Sequence, residues 1–333
     1  PYRPPTGIFQ PSRFTVSRGI SHQCTGGAME PIRSLEEMKK LARKLPSRKV
    51  AVVKADEVET MAAIGEAAAE NMVEAVLVGP SAEIRRCADE AEVDISDMEI
   101  VEAPSEKEAA LKGAGLVRDG HAHILMKGLV ASSTFLKGVL DKEHGIRGKG
   151  LLSHVAVFDV PGYDKLLTIT DAAMNIAPDF DQKVEILRNA LGVVRALGIP
   201  RPKTTYVCAK EKAYEKMPCT MEAARMQGLA DRGELGELIY DGPLAMDLAV
   251  SPVAKRIKKV ESEVAGDADL LLLPDIEAAN ILYKALIFIA GGELGAVIMG
   301  ATNPVILTSR ADSAESKLCS IVLAGVIYAR GKE

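Results

Sequence analysis

The 333-residue sequence has few aromatic residues and only a small acidic excess of charge. Aromatic side chains make up 4% of the chain and tryptophan is absent, so little surface is available for stacking on nucleobases. The formal net charge of −5 argues against a polyanionic partner held by bulk charge. Any recognition of phosphate must therefore be local.

Several functional motifs are also missing. No G-x-G-x-x-G follows a predicted strand, and neither a P-loop nor a G-x-S-x-G elbow occurs, so Rossmann-type dinucleotide binding, P-loop chemistry and hydrolase triads lack support. The five cysteines are an odd number without a C-x-x-C pair, which favours a reducing cytoplasm over a disulfide framework or a zinc site. His121 and His123 could share a strand face, but no third ligand is evident, and we expect no metal. No apolar run is long enough to span a membrane.

What is present, 47% hydrophobic and 26% charged residues, is typical of a soluble globular protein, and 333 residues are enough for two domains. Residues 1–28 are rich in proline and basic side chains and lack the apolar core of a secretory signal. We expect them to form a disordered leader, with Met29 as the natural start. The glycine-rich segment 145–150 is interpreted as a hinge between two α/β units.

Short apolar runs alternate with longer helical patterns from residue 31 onwards, which predicts α/β domains with mainly parallel sheets and a cleft between them. Predicted strands include 50–53, 75–78, 122–126, 153–158, 166–170 and 305–307, and predicted helices include 57–69, 243–258, 276–289 and 313–330.

The segment 307–312 (LTSRAD) joins a predicted buried strand to a predicted helix. Backbone N–H groups at such a turn, together with the helix dipole, favour an anion, and Arg310 adds a planar fork that suits phosphate. With the hydroxyl of Ser309 beside it, the turn is a candidate anion site. Taken alone, it is more simply explained by Ser309 capping the helix and Arg310 being solvated.

A second polar turn follows strand 122–126. Lys127 precedes the hydroxyls of Ser132, Ser133 and Thr134 at a helix start, and Lys137 follows them. These groups can donate to phosphate oxygens, or the segment is an ordinary helix cap.

Two further turns carry acidic residues after strands. Asp171 and Asn175 could orient a substrate, although capping of the loop explains them equally well. Asp241 and Asp275 are most simply helix caps.

With these turns in place, the sequence resembles the phosphate acetyl/butyryltransferase family, and most closely its butyryl-transferring members. The likeness runs from about residue 30 to the end and is carried by segments 126–130 (MKGLV), 151–164 (LLSHVAVFDVPGYD), 168–178 (TITDAAMNIAP), 241–247 (DGPLAMD), 264–269 (VAGDAD), 274–278 (PDIEA) and 307–313 (LTSRADS). Several long motifs in order make the resemblance specific.

The resemblance implies two α/β domains of the isocitrate/isopropylmalate dehydrogenase type. Residues 29–145 plus 300–333 would form the first domain and 150–295 the second. It implies exchange of an acyl group between coenzyme A and inorganic phosphate, by direct attack in a ternary complex and with no bound cofactor or metal. The partners would be acyl-CoA, phosphate, acyl phosphate and at least a second copy of the chain, with no nucleic acid and no membrane.

The family's Ser-Arg pair in the cleft corresponds to Ser309 and Arg310. Arg310, aided by the hydroxyls of 132–134, would hold the phosphate, and Ser309 would hydrogen-bond the carbonyl oxygen or sulfur. Lys127, Lys137, Asp171 and Asn175 complete the expected phosphate and CoA site.

Two departures stand out. Acetyl-transferring relatives place a basic Asp where this chain has Ser316, so Asp312 or Glu315 must serve as the base, or the base lies elsewhere. Those relatives also carry an Arg near Lys137 and Gly138, where a lysine lacks the bidentate fork.

Three alternatives remain open at this point. One is a phosphate acetyltransferase, the second a metal- and nicotinamide-dependent decarboxylating dehydrogenase on the same fold, and the third a catalytically silent CoA- or phosphate-binding regulator. The preferred length of the acyl chain is beyond the sequence.

Overall fold

The structure, a computed structural model, describes residues 30–309 and 312–331. The predicted leader and Arg310 therefore lie outside the described residues. The helices are α1 (Leu35–Ala42), α2 (Val58–Ala69), α3 (Ser81–Glu90), α4 (Glu106–Arg118), α5 (Ser132–Val139), α6 (Phe180–Ala196), α7 (Pro218–Asp231), α8 (Met246–Val250), α9 (Pro252–Lys258), α10 (Ile276–Phe288) and α11 (Ala314–Arg330).

The strands are β1 (Arg48–Val53), β2 (Val73–Gly79), β3 (Glu99–Glu102), β4 (Ile124–Lys127), β5 (Ser153–Asp159), β6 (Leu167–Thr170), β7 (Lys203–Tyr206), β8 (Ile239–Tyr240), β9 (Leu270–Leu272), β10 (Glu293–Met299) and β11 (Val305–Ile306). They form one 11-stranded sheet in the order β3-β2-β1-β4-β11-β10-β5-β6-β9-β7-β8. The mixed α/β class is thus confirmed.

Most of the sheet is parallel, as predicted. The antiparallel neighbours are β10–β11, β10–β5 and β5–β6, and every other neighbouring pair in the described residues is parallel. Strands β10 and β5 therefore connect two parallel blocks, a first block β3-β2-β1-β4-β11 and a second block β6-β9-β7-β8. The C-terminal strand β11 lies beside β4 in the first block. The strands of both predicted domains share a continuous sheet, and the division into two domains stays a prediction.

Helices cover both faces of the sheet. In β1, Val50 and Val52 belong to a core shared with α1, α2 and α11, whereas Ala51 and Val53 face the core shared with α4 and α5. A third core packs α8 and α10 against the second block. Because both faces are covered, the strands are buried and apolar rather than alternating, which is the pattern of a parallel sheet.

The prediction of one helix over 243–258 is wrong, because the helical conformation is interrupted between α8 and α9. Ser251 has extended backbone angles, ends α8 and caps α9 through its hydroxyl, which accepts from the N–H of Ala254. Pro252 lacks the N–H that a continuous helix requires. Asp275 caps α10 as predicted, accepting from the N–H of Ala278 at 2.8 Å, whereas Ala245 rather than Asp241 precedes α8.

The glycine-rich segment 145–150 packs closely against the chain that precedes β11. A Cβ on Gly148 would lie 2.1 Å from the carbonyl oxygen of Gly300, and the N–H of Thr302 donates to the carbonyl of Ile146 at 2.9 Å. Glycine allows the two backbones to approach, which keeps the crossing between the two strand blocks compact. Within the described ranges, no helix combines the length and apolar character needed to span a bilayer.

Candidate active site

A cavity of about 260 Å³ lies where the segments after β6 and β11 meet α10. Its described lining comes from the start of α5, the start of β5, these two segments and α10: Ser132, His154, Ala172, Ala173, Asn280, Tyr283, Lys284, Leu307, Thr308, Ser309 and Asp312. Segments 127–134, 171–175 and 307–312, predicted as polar turns, thus converge around one space. We take this cavity as the candidate active site.

A larger cavity of about 690 Å³ lies elsewhere, beside the amino ends of β1, β2 and β3. Its lining is dominated by carboxylates, among them Glu66, Glu74, Glu92, Asp94 and Asp97. Active sites of open α/β sheets form at the carboxyl ends of strands, and an acidic groove would repel phosphate. The smaller cavity therefore fits the predicted chemistry better.

The turn after β11 is closed by hydrogen bonds between Ser309 and Asp312. The N–H of Ser309 donates to Oδ2 of Asp312 at 2.7 Å, and the N–H of Asp312 donates to the carbonyl of Ser309 at 3.2 Å. The cap of α11 is Ser313, whose hydroxyl accepts from the N–H of Ser316 at 3.1 Å. The simpler interpretation of Ser309 as the helix cap is therefore wrong, and its exposed side chain lies at the cavity.

Lys127 lies beneath this turn. Its side chain is buried, and Nζ donates to the carbonyls of Gly128 at 3.2 Å and Thr308 at 3.4 Å. A Cβ on Gly128 would lie 2.2 Å from the carbonyl oxygen of Lys54, so the chain after β4 can follow this path only with glycine. Lys127 thereby places a positive charge under the candidate anion site.

A buried ion pair that the sequence did not suggest supports the same region. Nζ of Lys317, in the first turn of α11, lies 2.9 Å from Oε2 of Glu57, the residue before α2, and the Lys317 side chain is 0% exposed. Burial acts to raise the pKa of the Glu57 carboxyl, but hydrogen bonds from Thr60 and Lys317 and the charges of Lys317 and Lys127 outweigh it and hold this pKa below its usual value. Glu57 therefore stays ionised between two lysines. Its partner is far away in sequence, so no local pattern could have revealed the pair.

Asp171 and Asn175 come together in the loop after β6. Oδ1 of the buried Asp171 accepts from the N–H groups of Ala173 and Met174, at 3.0 and 2.9 Å, and Oδ2 accepts from Nδ2 of Asn175 at 2.6 Å. The same Nδ2 donates to the carbonyl of Leu152 at 2.9 Å. These contacts cap the loop, whose Ala172 and Ala173 line the cavity, while direct binding of substrate by Asp171 and Asn175 stays a prediction.

The hydroxyl-rich turn after β4 reaches the cavity through Ser132. Ser133 and Lys137 are exposed on the same helix and Thr134 is half-buried, and these three lie outside the described lining. The helix begins after Ala131, whose N–H donates to Glu106 at 3.2 Å. The structure therefore brings one of the four predicted donors of this helix to the site.

His154, Tyr283 and Lys284 line the cavity and were not predicted as site residues. The rings of His154 and Tyr283 meet edge to face, with centroids 5.7 Å apart, and Nζ of Lys284 lies 5.1 Å from the Tyr283 centroid. A histidine in the apolar run of β5 was the one available signal, whereas helical spacing in α10 predicts core positions just as well.

The cavity environment shifts the pKa of two of these side chains. Burial lowers the pKa of His154 below its usual value, the charges of Asp171 and Asp312 act in the opposite direction, and Lys284 acts with burial. Burial and the charge of Asp312 raise the pKa of the Tyr283 phenol above its ordinary range. Near neutral pH we therefore expect a neutral imidazole and a protonated phenol at the cavity wall.

The fold and the site together are those of an α/β enzyme with a cavity suited to an anionic substrate. Comparisons with known proteins refine this class. The family model described as "Phosphate acetyl/butaryl transferase" matches residues 103–325. The chain is 44% identical over 300 residues to the phosphate butyryltransferase of Clostridium beijerinckii, covering 90% of this chain and 99% of that protein. It is 39% identical over 292 residues to the phosphate acetyltransferase of Thermotoga maritima, with coverages of 88% and 99%.

Solved structures agree with these relatives. A branched-chain phosphotransacylase from Enterococcus faecalis V583 superposes with a TM-score of 0.76 at 32% identity, over 85% of this chain and 99% of that chain. A 4-hydroxythreonine-4-phosphate dehydrogenase from Klebsiella pneumoniae, at 13% identity and a TM-score of 0.55, covers 85% and 100% and shares the fold alone. The chain belongs to the phosphate acetyl/butyryl transferase family.

Proposed function

We propose that this phosphate acyltransferase prefers a short acyl chain, butyryl over acetyl, and transfers it between coenzyme A and inorganic phosphate by direct attack in a ternary complex. The preference is supported by 44% identity to a protein named as a phosphate butyryltransferase, against 39% to one named as a phosphate acetyltransferase. The acetyl-transferring alternative rests on the second relative. The dehydrogenase alternative has only the likeness of fold at 13% identity behind it.

One observation carries the proposal: Ser309 and Ser132 line the same cavity, and the turn that contains Ser309 lies above the ammonium of Lys127. When phosphate attacks the thioester carbonyl, negative charge gathers on the carbonyl oxygen, the phosphate and the departing sulfur. A preorganised hydroxyl with a cation below it stabilises that charge better than water does, because it is already oriented when the charge develops. Positioning both substrates in one cavity also removes the entropic cost of their encounter.

We propose the following roles for individual residues, and the position of Ser309 and Ser132 at the cavity supports the first two. Ser309 donates to the carbonyl oxygen or the sulfur, and Arg310 with Ser132, Ser133 and Thr134 holds the phosphate. Lys127 and Lys137 add positive charge. Asp171 and Asn175 order the loop that closes the cavity from the β6 side. Asp312 is proposed as a catalytic residue that closes the Ser309 turn and lines the cavity together with His154.

We also propose that the active form is a homo-oligomer. It would act in the cytoplasm with no bound cofactor or metal, and its two domains would be of the isocitrate/isopropylmalate dehydrogenase type. The outer face of α10 and its end support self-association, because Ile281, Phe288 and Ile289 are 70%, 72% and 86% exposed. Adjacent exposed apolar side chains of this size are typical of interaction surfaces. Light scattering of the purified chain measures the mass directly, and a monomer would contradict the proposal.

A rate profile across acyl-CoA substrates tests the chain-length preference. We expect kcat/KM for phosphate-dependent thiol release to peak at butyryl-CoA and to exceed the acetyl-CoA value by about tenfold or more, since one methylene in an apolar pocket changes binding by about 1–3 kcal/mol. The profile also includes propionyl-, isobutyryl- and octanoyl-CoA, whose acyl chains are shorter than, branched relative to, and longer than butyryl. A maximum at acetyl-CoA would replace the butyryl proposal with the acetyl-transferring alternative.

A further inference from the structure

The proton acceptor for the CoA thiol is unassigned, and the two carboxylates nearest to Ser309 in sequence are both engaged. Asp312 accepts the N–H of Ser309 at 2.7 Å. Glu315 is ion-paired with Lys39 of α1 and accepts from Sγ of Cys319 at 3.5 Å. Ser316, the position at which the sequence departs from acetyl-transferring relatives, binds Ser313 at the start of α11.

His154 differs from these groups in having an unused polar atom. Its Nδ1 is buried and has no hydrogen-bond partner in the described part of the chain. The side chain is 4% exposed and still lines the cavity with Ser309 and Asp312. A buried polar group without a hydrogen-bond partner is rare in folded proteins. In a side chain that lines a cavity, such a group indicates that a bound ligand supplies the missing interaction.

The imidazole is held firmly in this position. His154 pairs with Ile298 of β10 in the sheet, and its carbonyl accepts from Oγ1 of Thr170 at 2.8 Å on the other side. The ring packs edge to face on Tyr283. A side chain on a central strand is positioned more precisely than one on a loop, as proton transfer requires.

The charges around His154 suit a group that gains and loses a proton. Asp171 and Asp312 stabilise the protonated ring, while burial and the ammonium of Lys284 favour the neutral ring, and Tyr283 is a further titratable neighbour among the described residues. Because burial dominates, the resting ring is neutral and can accept a proton. The negative charges of the two carboxylates then stabilise the cation that forms.

We propose that His154 is a catalytic residue that carries the proton between the thiol of coenzyme A and phosphate. The inference rests on the proposed function. When acyl phosphate is consumed, His154 takes the thiol proton as sulfur attacks the acyl carbon, the C–S bond forms and the C–O bond to phosphate breaks. His154 then gives the proton to the departing phosphate, which leaves as HPO₄²⁻. In the reverse direction HPO₄²⁻ gives its proton to His154 as it attacks, and the leaving thiolate receives it.

The test compares His154→Gln and His154→Asn with His144→Gln, a matched change at an exposed histidine on the surface turn after α5. We expect kcat to fall about 10²- to 10⁴-fold in both His154 variants while KM for CoA changes little, and the His144 variant to match the parent. Added imidazole should raise the kcat of His154→Ala by at least about tenfold. If both amide variants fold, as thermal melting reports, and keep kcat within about threefold of the parent, the proposal is overturned.

A measurement on the unmodified enzyme covers the case in which the variants do not fold. In the direction that forms acyl-CoA, kcat should fall with a slope of about tenfold per pH unit as pH drops through the pKa of His154, which burial places below its ordinary value of about 6.5. A kcat that stays constant or rises from pH 7 down to the pH at which the enzyme unfolds would overturn the proposal. If the parent releases no phosphate-dependent thiol at all, the proposed function fails instead, and the two failures are distinct.

Discussion

Replacing Lys317 with methionine removes the cation of the buried pair that joins α11 to α2. Lys317 is 0% exposed and its Nζ lies 2.9 Å from Oε2 of Glu57. Methionine fills most of the same space without a charge, so the perturbation is electrostatic more than steric. Glu57 is left as a carboxylate whose side chain is 12% exposed, with the hydroxyl of Thr60 and the charge of Lys127 to stabilise it.

The expected loss follows from this arrangement. Removing one partner of a buried ion pair costs about 3–5 kcal/mol, because the other charge stays desolvated. The remaining partners of Glu57 place Lys317→Met at the lower end, about 3 kcal/mol. For a chain of this size about 1 kcal/mol lowers Tm by about 2 °C, so Tm should fall by about 6 °C.

Urea denaturation and calorimetry measure this loss. The matched control is Lys112→Met, which breaks a surface pair with Glu108 whose side chains are both 42% exposed, and it should cost less than about 1 kcal/mol. The double variant Glu57→Gln/Lys317→Met should be more stable than the sum of its single variants predicts, since neither charge of the pair is left without the other. A loss below about 1 kcal/mol for Lys317→Met would refute the reasoning.

The remaining predictions concern the cavity and its support. Ser309→Ala should lower kcat by about 10²- to 10³-fold with unchanged Tm, and an unchanged kcat in the thiol assay would remove Ser309 from the mechanism. Gly128→Ala should cost about 1–3 kcal/mol and lower kcat, because its Cβ would meet the carbonyl of Lys54, whereas Gly115→Ala has open space and should be neutral or stabilising in the same melts. The pKa of Glu57 is lowered, so its stabilising contribution is complete above about pH 4.5 and is lost as pH falls through the lowered pKa. The stability gap between the parent and Glu57→Gln should therefore shrink below about pH 4.5, and a constant gap would contradict this assignment.

Strand-to-helix turns were the part of the site that could be predicted from sequence. The segments around Lys127, Asp171 and Ser309 were each identified because a buried apolar run ended in polar residues, and in an α/β sheet such ends come together. The core strands were recognisable because each is a short run of apolar residues. β3, with the sequence EIVE, was missed because a short edge strand with exposed glutamates lacks an apolar run.

Side chains that face the cavity from other elements could not be predicted. Tyr283 and Lys284 lie on α10, where helical periodicity does not show which face meets a cavity. Glu57 and Lys317 are 260 positions apart in the chain, and only the packing of α2 against α11 makes them a pair. His154 was recognisable only as a polar residue within an apolar strand, a pattern that a satisfied core histidine also produces.

The central claim is tested most directly by mixing the purified protein with butyryl-CoA and inorganic phosphate without added metal. Free thiol is followed colorimetrically and acyl phosphate by ³¹P NMR. We expect both products to appear in equal amounts and only when phosphate is present. No release of thiol above the blank with acetyl-, butyryl- or isobutyryl-CoA would contradict the assignment of this cavity as a phosphate acyltransferase site.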